Sequence, residues 1–261
     1  MCDFNIDAVV VLYNSELKSI KALDVLLTHP LVRSVVVCDN SDDGMDHMHM
    51  EKSSKRIRTF NMGGNVGLSR AYNFAVSKCT ADYVLILDDD SELPVNYFET
   101  AASHIAADDA DVYMPLVRSS KILMSPCRKK GKRFVALDGA EQISGMTISG
   151  INSGLIVRRS TYDKVSYREE LFLDMVDHAF FDDVHAAGLR ISVMTDVVLL
   201  QDYSRETDDF EAAKSRYLIS KRDNRAYFNG PFADRAFCEA QLLYWKLKKA
   251  ARFKRLSVLT W

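Results

Sequence analysis

The sequence predicts an α/β fold, a mainly parallel sheet flanked by helices and followed by a helical tail. Three observations predict it. Short β-branched apolar runs alternate with stretches of helical period through the first half of the chain. Those runs lack polar alternation, which marks strands buried on both faces. Polar clusters follow three of them directly: Asn14, Asp39-Asn40, and Asp88 to Asp90. In open sheets of this class the ligand lies beyond the carboxyl ends of the strands, so the clusters are expected along one rim.

Ile6 to Leu12 reads as the first strand. Ser15 offers an N-cap, and Leu17, Ile20, Leu23, Leu26 and Leu27 follow at helical spacing until Pro30. Val32 to Cys38 is the second strand, closed by the turn-rich stretch 39–44. Residues 45–55, polar and rich in Met and His, read as an irregular excursion or short helix. Ile57 to Phe60 is a short strand, Asn61 to Gly67 a Gly/Asn loop, and Leu68 to Lys78 a helix. Tyr83 to Leu87 is a third long strand running into Asp88-Asp89-Asp90, before a helix over 95–107 and a strand from Val112 to Val117. The basic, Gly/Ser-rich stretch 118–152 suits a hairpin or loop. Ile151 to Arg158 reads as a strand, Ser160 as a cap, Asp177 to Ala187 as a helix ending at Gly188, and Ile191 to Leu200 as one or two strands. Helices over 209–228 and 232–255 finish the chain, which divides into a domain over 1–205 and a helical extension over 206–261 packed on it.

Of 261 residues, 48% are hydrophobic and 27% charged, a globular balance. The net charge of -2, from 34 basic and 36 acidic side chains, argues against nucleic-acid binding through a basic surface. Five cysteines (Cys2, Cys38, Cys79, Cys127, Cys238) never reach C-x-x-C spacing, so they read as reduced thiols and neither as a disulfide framework nor as a zinc site. No leader pattern opens the sequence and no run of about 18 apolar residues occurs, so a soluble, cytoplasmic protein is expected.

Asp88 and Asp90 are two apart in an extended segment, so they face one way while Asp89 faces another. Two close carboxylates repel unless a cation or proton sits between them, and a hard divalent ion held by carboxylates plus substrate phosphates is one such arrangement. A solvated acidic turn before the next helix is the alternative. The loop Asn61-Met62-Gly63-Gly64-Asn65-Val66-Gly67 matches neither phosphate-loop nor dinucleotide fingerprint. It serves either an anion at the following helix N-terminus or a tight turn. Read alone, Asp174 and Asp177 are carboxylates favoured at a helix N-terminus by the macrodipole. A dinucleotide-dependent oxidoreductase is disfavoured, because no glycine fingerprint follows the first strand.

Taken together, residues 9–14, 37–41 and 61–73 with Leu85-Ile86-Leu87-Asp88-Asp89-Asp90-Ser91 resemble the family 2 glycosyltransferases of GT-A fold, in their rhamnosyltransferase and galactofuranosyltransferase-like branch. The resemblance continues through 149–154 and 171–177 and so covers about residues 6–202. It implies a Rossmann-like GT-A domain and an inverting, metal-dependent transfer of a sugar from a UDP- or dTDP-linked donor to a hydroxyl of a glycan or lipid-linked acceptor, in cell-surface polysaccharide synthesis. By the resemblance, Asp39 contacts the nucleotide base, and Tyr13, Asn14, Asn65, Gly67, Arg70, Asn73, Asp88 and Asp89 belong to the donor site. Asp88 and Asp90 match the Asp-x-Asp pair that holds Mn2+ or Mg2+, with Asp90 the direct ligand. Asp177 takes the place of the catalytic base, with Asp174 its competitor. The pattern departs after the last strand, where the family commonly carries a histidine and this chain has Gln201-Asp202, both then candidate metal ligands. A catalytically weak or inactive nucleotide-sugar-binding protein of the same fold is the alternative which that departure allows.

Arg216, Arg222 and Arg225 on the penultimate helix either reach the diphosphate or acceptor or are solvated helix charge. The final helix mixes Leu242, Leu243, Tyr244, Trp245, Leu247 and Phe253 with Lys246, Lys248, Lys249, Arg252, Lys254 and Arg255. Such a basic amphipathic helix either lies on an anionic membrane surface, making the protein peripheral on the inner face of the cell membrane, or packs on the domain or on a homodimer partner.

Overall fold

The structure, a computed structural model, describes residues 4–42, 54–119, 122–137, 139, 147–201 and 209–261. The expected excursion over 45–55 lies almost wholly outside the described residues, and Cys2 outside them altogether. The strands are β1 (Ile6–Leu12), β2 (Val32–Asp39), β3 (Ile57–Asn61), β4 (Tyr83–Asp88), β5 (Val112–Arg118), β6 (Leu123–Lys130), β7 (Arg133–Leu137), β8 (Ile148–Ser149), β9 (Leu155–Arg158) and β10 (Ile191–Leu200). The helices are α1 (Leu23–Thr28), α2 (Leu68–Ser77), α3 (Tyr97–Ala107), α4 (Val176–Ala186), α5 (Phe210–Tyr227) and α6 (Phe232–Phe253).

One sheet runs in the order β3-β2-β1-β4-β9-β5-β6-β7, with β10 paired to β5 and β8 to β6. β3, β2, β1 and β4 are parallel, as is β10 against β5, and β9 enters antiparallel between β4 and β5. Strand alternation divides the core into two layers. Ala8, Val10 and Leu12 face Leu23 and Leu26 of α1 and Tyr97 and Phe98 of α3, while Val9 faces Tyr72 and Ala75 of α2 and Phe180 and Phe181 of α4. A helix layer on each face is what double-sided apolar strands require. The α/β class and the GT-A architecture are therefore present.

The carboxyl ends of β1, β2 and β4 coincide, because Leu12 pairs with Asp39 and Val11 with Asp88. Asp39 and Asp88 are thus two strand spacings apart on one rim, roughly 10 Å. At the opposite end of β1, Asp7 is fully buried and accepts from Arg33, from Ser34 Oγ at 2.7 Å, and from the Thr80 and Ala81 amides at 2.8 and 3.0 Å.

Three expectations need correction. Ser160 caps no helix and stands inside a 3-10 turn over Arg159–Asp163. The helix begun at Ser15 is instead a 3-10 turn at Leu17–Ser19 followed by the short α1, and Ser15 caps nothing. Its hydroxyl donates to Asp89, and the Lys21 amide donates to the Asp89 carbonyl at 3.0 Å, so the 88–90 turn pulls this segment out of helical register. The strand expected from Ile151 begins only at Leu155, because residues 151–154 form a turn with Gly154 at φ 74°. Tertiary bonds override local propensity at the last two places.

Tyr217, Phe228, Cys238, Leu242, Val258 and Trp261 form a separate C-terminal cluster, and Met175 and Tyr227 link it to the sheet domain. Cys38, Cys79, Cys127 and Cys238 are buried free thiols, and burial pushes Cys38 and Cys79 up to about 12. Among the described residues, no helix is long and apolar enough to cross a membrane.

Candidate active site

Asp88 closes β4, and Asp90 stands in the turn that follows it. One side chain spans the two: Gln201 Nε2 donates to Asp88 Oδ2 at 3.2 Å and makes a long contact of 3.5 Å to Asp90 Oδ1. Asp89 turns the other way and accepts from Ser15 Oγ at 2.7 Å. Gln201 arrives from β10, which slips register between Met194 and Val198 so that its end stays paired with β5. The Gln201 amide then donates to the Arg118 carbonyl at 2.9 Å.

Asp88 also accepts from Ser153 Oγ and, at 3.5 Å, from the Tyr72 hydroxyl. Burial raises its pKa above the ordinary carboxylate value; the bonds from Ser153 and Gln201 lower it, and the charges of Asp90 and Asp89 raise it further. The site is short of positive charge.

Asp177 stands in the first turn of α4, and its Oδ1 accepts from Asn152 Nδ2 at 2.7 Å. Asn152 and Ser153 are consecutive, so one turn holds Asp177 with one residue and Asp88 with the next. That turn is fixed from three sides. The Gly154 amide donates to the Ile86 carbonyl of β4 at 2.9 Å, and the buried Tyr97 hydroxyl of α3 donates to the Gly154 carbonyl at 2.7 Å. A Cβ on Gly154 would lie 2.7 Å from Leu199 Cδ2 of β10. Tyr72 reports on both carboxylates: burial, then the charges of Asp88 and Asp177, hold its hydroxyl well above its usual range.

Along the rim, Asp39 is buried and accepts from the Ser41 amide at 3.0 Å, and its carbonyl accepts from Met62 at 2.9 Å. Asn40 organises the glycine loop by donating to Asn65 Oδ1 at 3.1 Å and accepting from the Val66 amide at 2.8 Å. Asn65 Oδ1 in turn accepts from the Gly67 amide at 3.2 Å. Gly67 has φ 90°, and a Cβ there would sit 2.6 Å from the Phe172 ring, so only glycine lets this loop lie against the 171–174 segment. Asn14, at φ 52°, donates through its backbone to Ser41, and the half-exposed Tyr13 hydroxyl donates to Asp42. Arg70 faces Glu169 at 3.6 Å. Asn73 donates to the Tyr167 carbonyl at 2.8 Å and accepts from the Tyr167 amide at 2.9 Å, so it fixes backbone.

Asp174 has a different setting from Asp177. It accepts from both terminal nitrogens of Arg216 and from Ser220 of α5. The segment before it is gripped by Asp223, a fully buried carboxylate that accepts from the Phe172, Leu173 and Asp174 amides at 3.1, 2.8 and 2.8 Å. Arg222 lies over the Phe172 ring at 4.5 Å, and Arg225 pairs with Glu239. The sequence reading passed over Asn152, Ser153 and Asp223. The first two stand inside the stretch 149–154 that carried the resemblance, and Asp223 sits between Arg222 and Asn224 on the helix where the arginines drew the eye.

Beside Asp174, two cavities open between α5 and α6. One, of about 860 Å3, is walled by Phe134 of β7, Met175, His178, Phe237, Tyr244 and Trp245. There His178 stacks on Phe134 at 3.6 Å and shares a 2.8 Å hydrogen bond with Ser149 Oγ. The other, of about 550 Å3, shares Asp174 and Trp245 with the first.

The residues at the strand ends suit a hard divalent ion. Asp88 and Asp90 are oxygen donors, and the Gln201 amide, whose nitrogen now faces them, carries a third oxygen. Among the described residues, no three His, Cys, Asp or Glu side chains form a metal-holding group. Asp202 lies outside the described residues.

The sequence model of glycosyl transferase family 2 matches residues 7–165, more than half the chain. Over 206 residues the chain is 23% identical to the dTDP-rhamnosyl transferase RfbF of Shigella flexneri, covering 75% of this chain and 68% of that protein. TarS 1-349 of S. aureus, solved in complex with UDP, superposes with a TM-score of 0.58 at 16% identity over 92% of this chain and 70% of its own. GalNAc-T7, solved with UDP, GalNAc and Mn2+, superposes with a TM-score of 0.60 at 13% identity over 77% of this chain and 44% of its own.

Proposed function

Because the chain belongs to glycosyl transferase family 2, we propose that it moves a sugar from a UDP- or dTDP-linked donor to a hydroxyl of a glycan or lipid-linked acceptor, with inversion, in cell-surface polysaccharide synthesis. The observation that carries this reading is the single turn, Asn152-Ser153, that holds Asp177 with one residue and Asp88 with the next. The names printed for RfbF and for the UDP-bound TarS agree with a nucleotide-sugar donor.

In this reading the donor's nucleoside lies along the rim by Asp39, Tyr13 and Asn14, against the loop that Asn40 and Asn65 shape around Gly67. Asp88 and Asp90 would hold Mn2+ or Mg2+, with Gln201 a neutral third donor once its amide turns its oxygen toward them. When bound, the ion neutralises charge on the departing diphosphate. Asp177 is the base. The acceptor oxygen forms its bond to the anomeric carbon as the bond to the diphosphate breaks, the electron pair leaves with the nucleoside diphosphate, and the hydroxyl proton passes to the Asp177 carboxylate. Asn152 aims that carboxylate, and attack from the face opposite the leaving group inverts the centre. Asp174, engaged by Arg216 and Ser220, is the less suitable base.

The helical extension over 206–261 forms a separate unit packed on the 1–205 domain in this reading. The exposed Leu243, Tyr244 and Leu247 together with the basic residues of α6 support peripheral attachment to an anionic inner membrane face. Self-association through the same face is the alternative arrangement. A second functional reading, a weakly active nucleotide-sugar-binding protein, is favoured by Gln201 in place of the family's histidine. The test is release of UDP or dTDP from a panel of nucleotide sugars with Mn2+ or Mg2+. Donor-dependent turnover that Asp90→Ala removes supports the enzyme, whereas binding without turnover favours the second reading.

A further inference from the structure

Asp174 and Asp177 stand close in sequence but have different partners. Asn152 binds the carboxylate of Asp177, whereas α5 binds that of Asp174 through both terminal nitrogens of Arg216 and the Ser220 hydroxyl. Arg216, Ser220 and Asp223 follow at spacings of four and three, so they share one face of α5. Two of them hold the Asp174 side chain, and the third holds backbone. Asp223 accepts from the Phe172, Leu173 and Asp174 amides, the last two at 2.8 Å. On the far side, the Phe172 carbonyl accepts from the Leu68 amide at 2.6 Å, and its ring closes on Gly67. The segment is thus held from two directions, and Asp174 is the last residue gripped.

Only Met175 and Val176 separate that grip from Asp177. Met175 has φ 65°, in the left-handed region that residues with a side chain seldom adopt. Such a conformation persists where the surroundings over-determine it. Here α5 holds the chain behind Met175, and the fully buried Val176 packs in the core ahead of it. Met175 itself touches both the sheet-domain cluster and the C-terminal cluster. Among the described residues, no side chain caps the N-terminus of α4, whose first turn carries Asp177. The start of that helix is therefore set by what grips the residues before it.

We propose that Arg216, Ser220 and Asp223 are positioning residues, which fix Asp174 and its backbone and so set where α4 begins and where Asp177 stands. The proposal rests on the sugar-transfer reading and deepens it. The helical extension supplies no reacting group, yet the geometry of the base depends on it. Asp174 is the handle by which α5 holds the base, and Asn152 fixes the carboxylate at its other end. Misplacement by about 1 Å can cost on the order of 100-fold in rate, so a loosened clamp is expected to show in kcat.

The test introduces Arg216→Ala into the full chain in two backgrounds, wild type and Asp177→Asn. Release of UDP or dTDP is followed from UDP-glucose, UDP-galactose and dTDP-rhamnose with Mn2+, and circular dichroism checks the fold. In the wild-type background the variant is expected to lower kcat at least 10-fold, with the donor KM within about 2-fold. In the Asp177→Asn background the residual rate, read with enzyme in excess over donor, is expected to change by less than about 2-fold. The group that the clamp positions is then already gone, so the two losses do not add. Ser220→Ala removes a single hydroxyl and carries the same comparison where Arg216→Ala does not fold, with an expected loss of about 3-fold. Equal losses in both backgrounds overturn the proposal, because the variant then harms the fold at large. An unchanged kcat in the wild-type background overturns it too. Absence of turnover by wild type with every donor removes the sugar-transfer reading instead, so the two failures are distinguishable.

Discussion

The Asn152 amide donates to the Asp177 carboxylate at 2.7 Å, and the very next residue holds Asp88. Movement of that turn therefore displaces both carboxylates together. Asp177→Asn is expected to lower kcat by about 10²–10⁴-fold, the usual worth of a general base, with donor affinity retained. Asn152→Ala leaves the base in place but unaimed, and a fall of about 10–100-fold in kcat is expected. Steady-state kinetics beside donor binding by calorimetry checks both, and a fully active Asp177→Asn enzyme removes this residue from the mechanism.

Gln201 sets its amide nitrogen against Asp88 and Asp90, and a turn of the amide would bring its neutral oxygen there instead. Gln201→Ala is expected to weaken Mn2+ binding by about 10-fold, and Gln201→Glu to strengthen it by a similar factor, since ligand charge dominates the affinity of hard ions. Mn2+ titration followed by electron paramagnetic resonance reads both. Chelation with EDTA should suppress transfer by wild type and by each variant, and added Mn2+ should restore it.

Asp223 is buried and accepts three backbone amides from the segment that leads into α4. Asp223→Ala leaves those donors without a partner, at about 3–5 kcal/mol, or roughly 6–15 °C in Tm. Thermal unfolding by circular dichroism tests this, and a loss under 2 °C would mean that the clamp is replaceable by water.

Asp7 gives an acid limb to stability. Burial pushes its pKa up, but the bonds from Arg33, Ser34, Thr80 and Ala81 outweigh that and lower it below its ordinary value of 3.8. A depressed folded-state pKa stabilises the protein above the unfolded value and ceases to do so as pH falls through the folded one. Wild type should therefore lose stability below about pH 4. Asp7→Asn should already be less stable at pH 7 and show a shallower acid loss, measured as urea midpoints between pH 7 and 3.

Much of the frame was legible in the sequence because it rests on local signals. The apolar runs of β1, β2 and β4 read as doubly covered strands, whereas Asp88 and Asp90 come together through Gln201 in a turn and not through strand alternation. The helix at Ser15 misled because its apolar period is intact, while the bonds that break it come from Asp89, 74 residues away. Asn152 and Ser153 carry no period and no charge, so their roles emerge only once β9 brings their turn beside β4. Asp223 was hidden for a related reason: one carboxylate in a helix rich in charge looks solvated until the 172–174 amides are seen to converge on it.

The larger cavity is walled by β7, the segment around the start of α4 and the two last helices, and the smaller by Asp174 and those two helices, whereas Asp88 and Asp90 sit on β4 and its turn. The two cavities and the strand-end carboxylates thus belong to separate stretches of chain. A chain built this way can change the inward side of α6 without disturbing the carboxylates on β4.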